Sequence, residues 1–205
     1  QLGGVRTRVQ TASVVLCYSR MLFFQCYPRF TRFECKSFLA AAIAYFCGAA
    51  KTCMIDNTHV VVASGTGAQM VPAPEMEAFA RRYGFRFVAH EKGDANRSAR
   101  VEAPFHRIET AFLKGTEFTD WAELNQKARE TSEQWNAARS NKLHGSRREL
   151  FACERPQLRA LPLHVPEVYQ LYTRMVDAEG YVHVNRIRYS APYALIDRPL
   201  EVRET

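Results

Sequence analysis

KGDANRSARVEAPFHRIETAF, residues Lys92–Phe112, is the stretch from which the fold is read. Gly93, Asp94, Asn96 and Ser98 favour turns and helix caps, so the segment opens as a loop. Val101, Phe105, Ile108 and Phe112 then recur at the spacing of one buried helical face. Pro104 has no backbone N–H, which starts the regular helix close to it and keeps Glu102 near the loop. A carboxylate on a rigid element, at the edge of a basic loop, suits metal-assisted phosphate chemistry. The plainer alternative is a solvated first-turn glutamate, favoured there by the helix dipole.

Working outward, Thr52–Asp56 (TCMID) is a short apolar run ending on an acid and followed by Asn57. In an α/β sheet, functional groups gather just past the carboxyl ends of strands, so this run reads as a buried strand delivering Asp56 to such an edge. Asp56 and Glu102 stand 46 positions apart, separated by helix-like Pro74–Tyr83 and strand-like Phe85–Ala89. Upstream, Val5, Thr7, Val9 and Thr11 alternate with Arg6, Arg8 and Gln10, which is strand periodicity. The strand runs on through Ser13–Tyr18, turns at Ser19-Arg20 and returns as Met21–Tyr27. Phe33–Cys47 has the wide apolar stripe of a helix packed on a sheet, with Gly48 as its stop. Downstream, a polar helix over Thr119–Ser140 is anchored by Trp121, Leu124, Ala128 and Trp135, with both tryptophans read as packing. Asn141–Pro166 is rich in Arg and Pro and reads as an extended connector. Short strands over Val168–Val176, Tyr181–Val184, Arg186–Ser190 and Leu200–Arg203 close the chain.

These residues resemble a known family. YSR at Tyr18–Arg20, IDN at Ile55–Asn57, GDANRSARVE at Gly93–Glu102 and FTDW at Phe118–Trp121 match transposases of IstA-type bacterial insertion sequences, in the DDE transposase and retroviral-integrase group. LHG at Leu143–Gly145, ELFACER at Glu149–Arg155, LPLHVPEVY at Leu161–Tyr169 and RYSAPYALI at Arg188–Ile196 continue the match in order. The resemblance implies an α/β, RNase H-like mixed sheet flanked by helices over residues 1–140. A basic linker over 141–166 and a small β-barrel-like domain over 167–205 would follow. It also implies that Asp56 and Glu102 are the second and third carboxylates of the DDE triad and hold metal.

By the same resemblance the first Asp lies on a central strand before Gln1, outside this chain, so the chain alone is expected to be inactive. The strands Val5–Tyr18 and Thr52–Asp56 should then flank a strand-sized gap. The chemistry implied is cutting and joining of DNA strands at insertion-sequence ends. Two Mg²⁺ (or Mn²⁺) ions suit it, because hard cations want carboxylate oxygens. Lys92, Arg97, Arg100 and Arg107 would touch the DNA backbone, with Asn57 and His106 as supporting groups. Implied partners are insertion-sequence ends and target DNA, a separate AAA+ ATPase helper and further copies of the chain on DNA.

Composition agrees with a cytoplasmic DNA-associated protein. The formal charge is +7, and residues 1–51 carry seven basic side chains against Glu34 alone. Residues 139–160 carry six against Glu149 and Glu154. Separated basic zones suggest a polyanion partner. No apolar run approaches membrane-spanning length, and no leader with a cleavage site is visible. The start at Gln1 reads as a cut inside a longer protein. The six cysteines form no Cys-x-x-Cys pair, which speaks against zinc, and five sit in apolar or aromatic surroundings that suggest burial. No Gly-rich phosphate loop appears, so ATP is not expected to be hydrolysed here.

Two other readings fit the same residues. One is another RNase H-like nuclease, against which the match through the C-terminal stretch argues. The other is a non-catalytic or decayed DNA-binding remnant. CGAAKT at Cys47–Thr52 lends that some weight, since it stands where the family has a Gly-Gly-Val-Pro-like turn.

Overall fold

A β-hairpin begins the core. In the computed structural model, which describes residues 1–56, 58–89, 103–165, 167–184 and 186–204, β1 (Gln10–Val15) pairs antiparallel with β2 (Leu22–Tyr27), Val14 opposite Phe23. Arg20 takes a left-handed φ of 62° in the turn between them. The strand starts later than its alternation predicts, and Val5 is 64% exposed. Gly3 and Gly4 both adopt left-handed φ and turn the chain there, so Leu2 bridges Val5 and Phe118 instead.

β2 is covered on both faces. Leu22, Phe24 and Cys26 pack with Ile108, Phe112, Phe118, Leu124 and Ala128 in one apolar cluster. Phe23 lies on the other side, 5.9 Å from Phe38 and 4.8 Å from Tyr45. Both of those belong to α1 (Arg32–Tyr45), which starts at a capping box between Thr31 and Glu34. Its buried stripe is Cys35, Phe38, Leu39, Ala42 and Ile43. Each large side chain so buried contributes about 2 kcal/mol.

β3 (Thr52–Ile55) follows, then the small antiparallel pair β4 (Val62–Ser64) and β5 (Val71–Pro72). α2 (Pro74–Tyr83) carries Pro in its first turn and ends at Gly84, whose φ of 74° only glycine adopts without strain. β6 (Arg86–Ala89) pairs in parallel with β3, Ile55 opposite Ala89. Phe79 packs on Phe85, and Phe85 on Phe87, which fixes α2 against this pair. Where one mixed sheet was expected, the hydrogen bonding gives two separate pairs, antiparallel β1–β2 and parallel β3–β6. No ladder joins them among the described residues.

Helix α3 (103–108) runs into a π-helical turn, Glu109–Leu113. Ile108 and Phe112 are buried, as the periodicity predicts, while Phe105 is 36% exposed. Next comes α4 (Trp121–Ala137), capped by Asp120. Its Asn136 accepts from the Leu22 N–H (2.9 Å) and donates to the Leu22 carbonyl (2.8 Å). Asn125 does the same for Cys26, at 2.8 and 3.0 Å. Two amides eleven residues apart, about three turns, thus seal the outer edge of β2.

Residues 141–165 differ from an extended connector. β7 (Arg139–Ser140) and β8 (Gly145–Ser146) form a short antiparallel pair, and α5 (Arg147–Glu154) starts at a capping box between Ser146 and Glu149. The Glu154 carboxylate accepts the Tyr18 and Ser19 N–H groups at 3.2 and 2.9 Å. Arg159 then exchanges two backbone hydrogen bonds with Ala49, at 2.8 and 2.9 Å. Charge and Pro content signalled a linker. Local capping and these long-range bonds outweigh it, and the first compact unit extends over Gln1–Val165.

The second unit, Pro166–Thr205, contains β9 (Gln170–Met175), β10 (Tyr181–Val184), β11 (Ile187–Ser190) and β12 (Pro199–Glu204). β9 pairs with β12 and β10 with β11, both antiparallel. Among the described residues the two pairs are not joined into a closed barrel.

Candidate functional site

The parallel pairing of β3 and β6 sets the geometry of the candidate site. Ile55 stands opposite Ala89, so both strands end on the same side. Asp56 follows Ile55 directly, is exposed, and its carbonyl accepts the Thr58 N–H at 2.6 Å. β6 ends at Ala89, and α3 is described from Ala103 onward. Glu102, Lys92, Arg97, Arg100 and Asn57 lie outside the described residues.

Asp56 offers the hard oxygen donor that Mg²⁺ or Mn²⁺ prefers, at a strand terminus open to solvent. Among the described residues no three His, Cys, Asp or Glu side chains cluster as a metal site. His106 is exposed and lines an open groove of about 770 Å³ with Arg6, Glu109, Thr110 and Lys114, floored by Leu113 and Phe118. Asp56 is not part of that groove. Arg107 lies over the Trp135 ring, 4.0 Å from its centroid.

The first basic zone is partly structural. Arg29 pairs with Glu34 at 3.0 Å, and Glu75 of α2 holds Lys36 at 2.9 Å and Arg32 at 3.5 Å, tying α1 to α2. Glu34 is buried, which pushes its carboxyl up. Hydrogen bonds from Thr31 and Arg29 outweigh that and hold it below the usual carboxylate range.

The thiols divide differently from the expectation of five buried. Cys26 and Cys35 are buried and Cys53 half-buried, while Cys17, Cys47 and Cys153 are exposed. Cys17 follows the hairpin strand, Cys47 sits in a left-handed turn (φ 54°) after α1, and Cys153 lies on α5. Burial pushes Cys35 up to about 12, with Cys53 beside it adding to the shift. That thiol is inert at neutral pH.

Residue-by-residue reading missed two features. Asn125 and Asn136 share one face of α4, but nothing in their spacing says that the partner is a strand edge. Arg147 counted only as part of a basic zone, yet its Nη1 donates to the Trp135 carbonyl at 2.8 Å. The packing role of Trp135 was visible: its ring is half-buried and Phe24 stacks on it at 5.8 Å.

No family model matches this sequence. The chain is similar to the transposase for insertion sequence element IS21 of Pseudomonas aeruginosa, 26% identical over 209 residues, covering 99% of this chain and 53% of that protein. It is similar to a putative transposase of Sinorhizobium fredii, 29% identical over 168 residues, covering 80% and 33% respectively. A putative transposase for insertion sequence IS1162 of Pseudomonas fluorescens is 27% identical over 181 residues, covering 86% and 32%. The chain spans about half the length of the first of these relatives and a third of the other two. Among solved structures it resembles a chain of the simian T-cell lymphotropic virus intasome in complex with PP2A regulatory subunit B56 gamma. That likeness has a TM-score of 0.49 and 15% identity, covering 98% of this chain and 83% of that one.

Proposed function

We propose that this chain, a homologue of the IS21-type transposases, is part of a DNA transposase that cuts and joins strands at insertion-sequence ends. One structural observation supports the reading: β3 and β6 are parallel and end in register, so Asp56, directly after β3, stands at the carboxyl edge of that pair. That edge is where α/β sheets collect their functional groups.

In this account Asp56 and Glu102 hold divalent metal, Mg²⁺ or Mn²⁺, through carboxylate oxygens. When bound, a pair of such ions activates the attacking oxygen and stabilises the leaving one in an in-line displacement at phosphorus. Lys92, Arg97, Arg100 and Arg107 grip phosphates and set the strand's position without reading its sequence. Asn57 and His106 support them. A third carboxylate belongs on a strand lying between the two half-sheets, supplied by the longer protein.

The free edges support that placement. Leu22 and Cys26 turn their backbone groups toward α4. By the alternation of an antiparallel ladder, Thr11, Ser13 and Val15 of β1 then point theirs away from β2. On β3, Lys51 accepts from the Arg86 N–H at 3.2 Å, so Thr52 and Met54 point theirs away from β6. No backbone partner for these outward groups occurs among the described residues. Residues 1–165 form the catalytic unit in this reading, and 166–205 a small β domain. A AAA+ ATPase helper and assembly of several copies on DNA complete the proposal.

A strand-transfer assay on the longer protein tests it, using a pre-cut element end and a supercoiled target. Joined products that require Mg²⁺ or Mn²⁺ are expected. A protein that binds the ends yet joins none of them with either ion would overturn the reading.

A further inference from the structure

At the corner where α4 hands over to α5, two arginines converge on one tryptophan. Arg107 of α3 lies over the Trp135 ring at 4.0 Å from its centroid. Arg147, the first residue of α5, donates from Nη1 to the Trp135 carbonyl at 2.8 Å. Phe24 also stacks against that ring, at 5.8 Å. Trp135 is thereby a fixed support for guanidinium groups and not a platform for a nucleic-acid base.

Arg107 stands near enough to Arg147 for the two charges to repel. Neither Arg107 nor Arg147 forms an ion pair with a carboxylate among the described residues. Burial first, and the neighbouring Arg107 charge second, pull the Arg147 guanidinium below its usual range. Like charges held in proximity raise the energy of the free protein, and a bound anion relieves it. One Nη1 hydrogen of Arg147 is committed to the carbonyl, which orients the planar fork and leaves its other donors available. Pre-oriented forks suit phosphate oxygens, which they engage in a bidentate manner.

We propose that Arg107 and Arg147 together grip one phosphate of a bound DNA strand. The proposal rests on the transposase reading for the identity of the anion. Arg147 binds that phosphate directly, from a different helix than Arg107.

Salt dependence tests the shared phosphate. Binding of a short duplex of arbitrary sequence is measured against salt for the full chain and for Arg107→Gln, Arg147→Gln and the double variant. Each phosphate contact adds about 0.9 to the slope of log affinity against log salt. Either single change should remove about one such unit, and the double should remove no more than either single. Two units lost in the double would mean two separate phosphates and would overturn the shared grip, with the DNA reading intact. Unchanged slopes in both singles would overturn it as well. A parent chain with no salt-dependent DNA binding would instead remove the transposase reading beneath it.

Arg147 also caps a helix carbonyl, so Arg147→Lys serves as a second variant that retains charge without the fork. It should keep the slope while weakening binding several-fold; parent-like affinity would contradict bidentate grip. Trp135 gives a readout independent of affinity. The protein has two tryptophans, so Trp121→Phe leaves Trp135 as the only indole. Its emission should change when the duplex binds and revert in high salt; emission indifferent to a bound duplex would contradict contact at this corner.

Discussion

Asn136→Ala tests how the first unit holds its hairpin. Asn136 is fully buried, at 0% exposure. It satisfies the N–H and C=O of Leu22, and its Nδ2 also donates to the Tyr45 hydroxyl at 3.2 Å. Truncation strands both backbone groups of Leu22, a residue only 5% exposed. Each buried group left unsatisfied costs about 1–3 kcal/mol, so the loss should be about 2–6 kcal/mol. Against a total stability of about 5–15 kcal/mol, that is a large fraction. Asn125 makes the equivalent pair of bonds to Cys26 in a partly buried setting. Water can replace the amide there, so Asn125→Ala should cost about 1 kcal/mol. Urea denaturation of the chain gives both values, with the midpoint falling and the slope unchanged. Asn136→Leu, which fills the space but makes no hydrogen bonds, should be nearly as damaging as Asn136→Ala. An Asn136→Ala variant within about 0.5 kcal/mol of the parent would refute the sealed edge, as would equal losses at the two asparagines.

Other outcomes follow from single contacts. A depressed folded pKa at Glu34 means its contribution is fully present above the unfolded value of about 4.3 and is lost as pH falls through the folded one. Glu34→Gln should therefore flatten the acid side of the stability–pH curve, measured by thermal melts from neutral to acid pH. At Gly48 an added Cβ would meet the Arg159 carbonyl and Leu158 Cβ at 2.9 Å each. Gly48→Ala should cost about 1–3 kcal/mol by urea denaturation, and Gly48→Val more. Glu154→Ala frees the Tyr18 and Ser19 N–H groups and should speed amide exchange at those two positions while leaving the centre of β2 protected. Arg97→Ala and Arg100→Ala should each reduce the salt slope of DNA binding by about one unit.

Much of the first unit was legible because its signals are local. Pro74 and Gly84 bracket α2, and the apolar stripe Cys35–Ile43 announces α1. In the second unit, Tyr181–Val184 is a strand with the bounds expected from the sequence. The misreadings arise where distant contacts decide. Residues 147–154 look like a charged linker until Ser146 and Glu149 cap them and Glu154 reaches the hairpin turn. The edge seal by Asn125 and Asn136 needs β2 beside α4, and no residue pattern in α4 specifies that neighbour. At the candidate site, Asp56 could be placed at a strand end from TCMID alone. The companionship of Arg107 and Arg147 could not, because the two residues meet only through Trp135 on a third helix.

The central claim is that Asp56 and Glu102 are metal-holding carboxylates of a strand-joining site, and paired substitutions measure it most directly. In the longer protein, Asp56→Asn and Glu102→Gln keep side-chain volume while removing the charge that holds divalent metal. DNA binding and Mg²⁺-dependent joining of a pre-cut end would be measured side by side. The account predicts that joining disappears in both variants while DNA affinity stays within a few-fold of the parent. Joining that persists near the parent rate in either variant, or DNA binding that collapses along with it, would contradict the assignment.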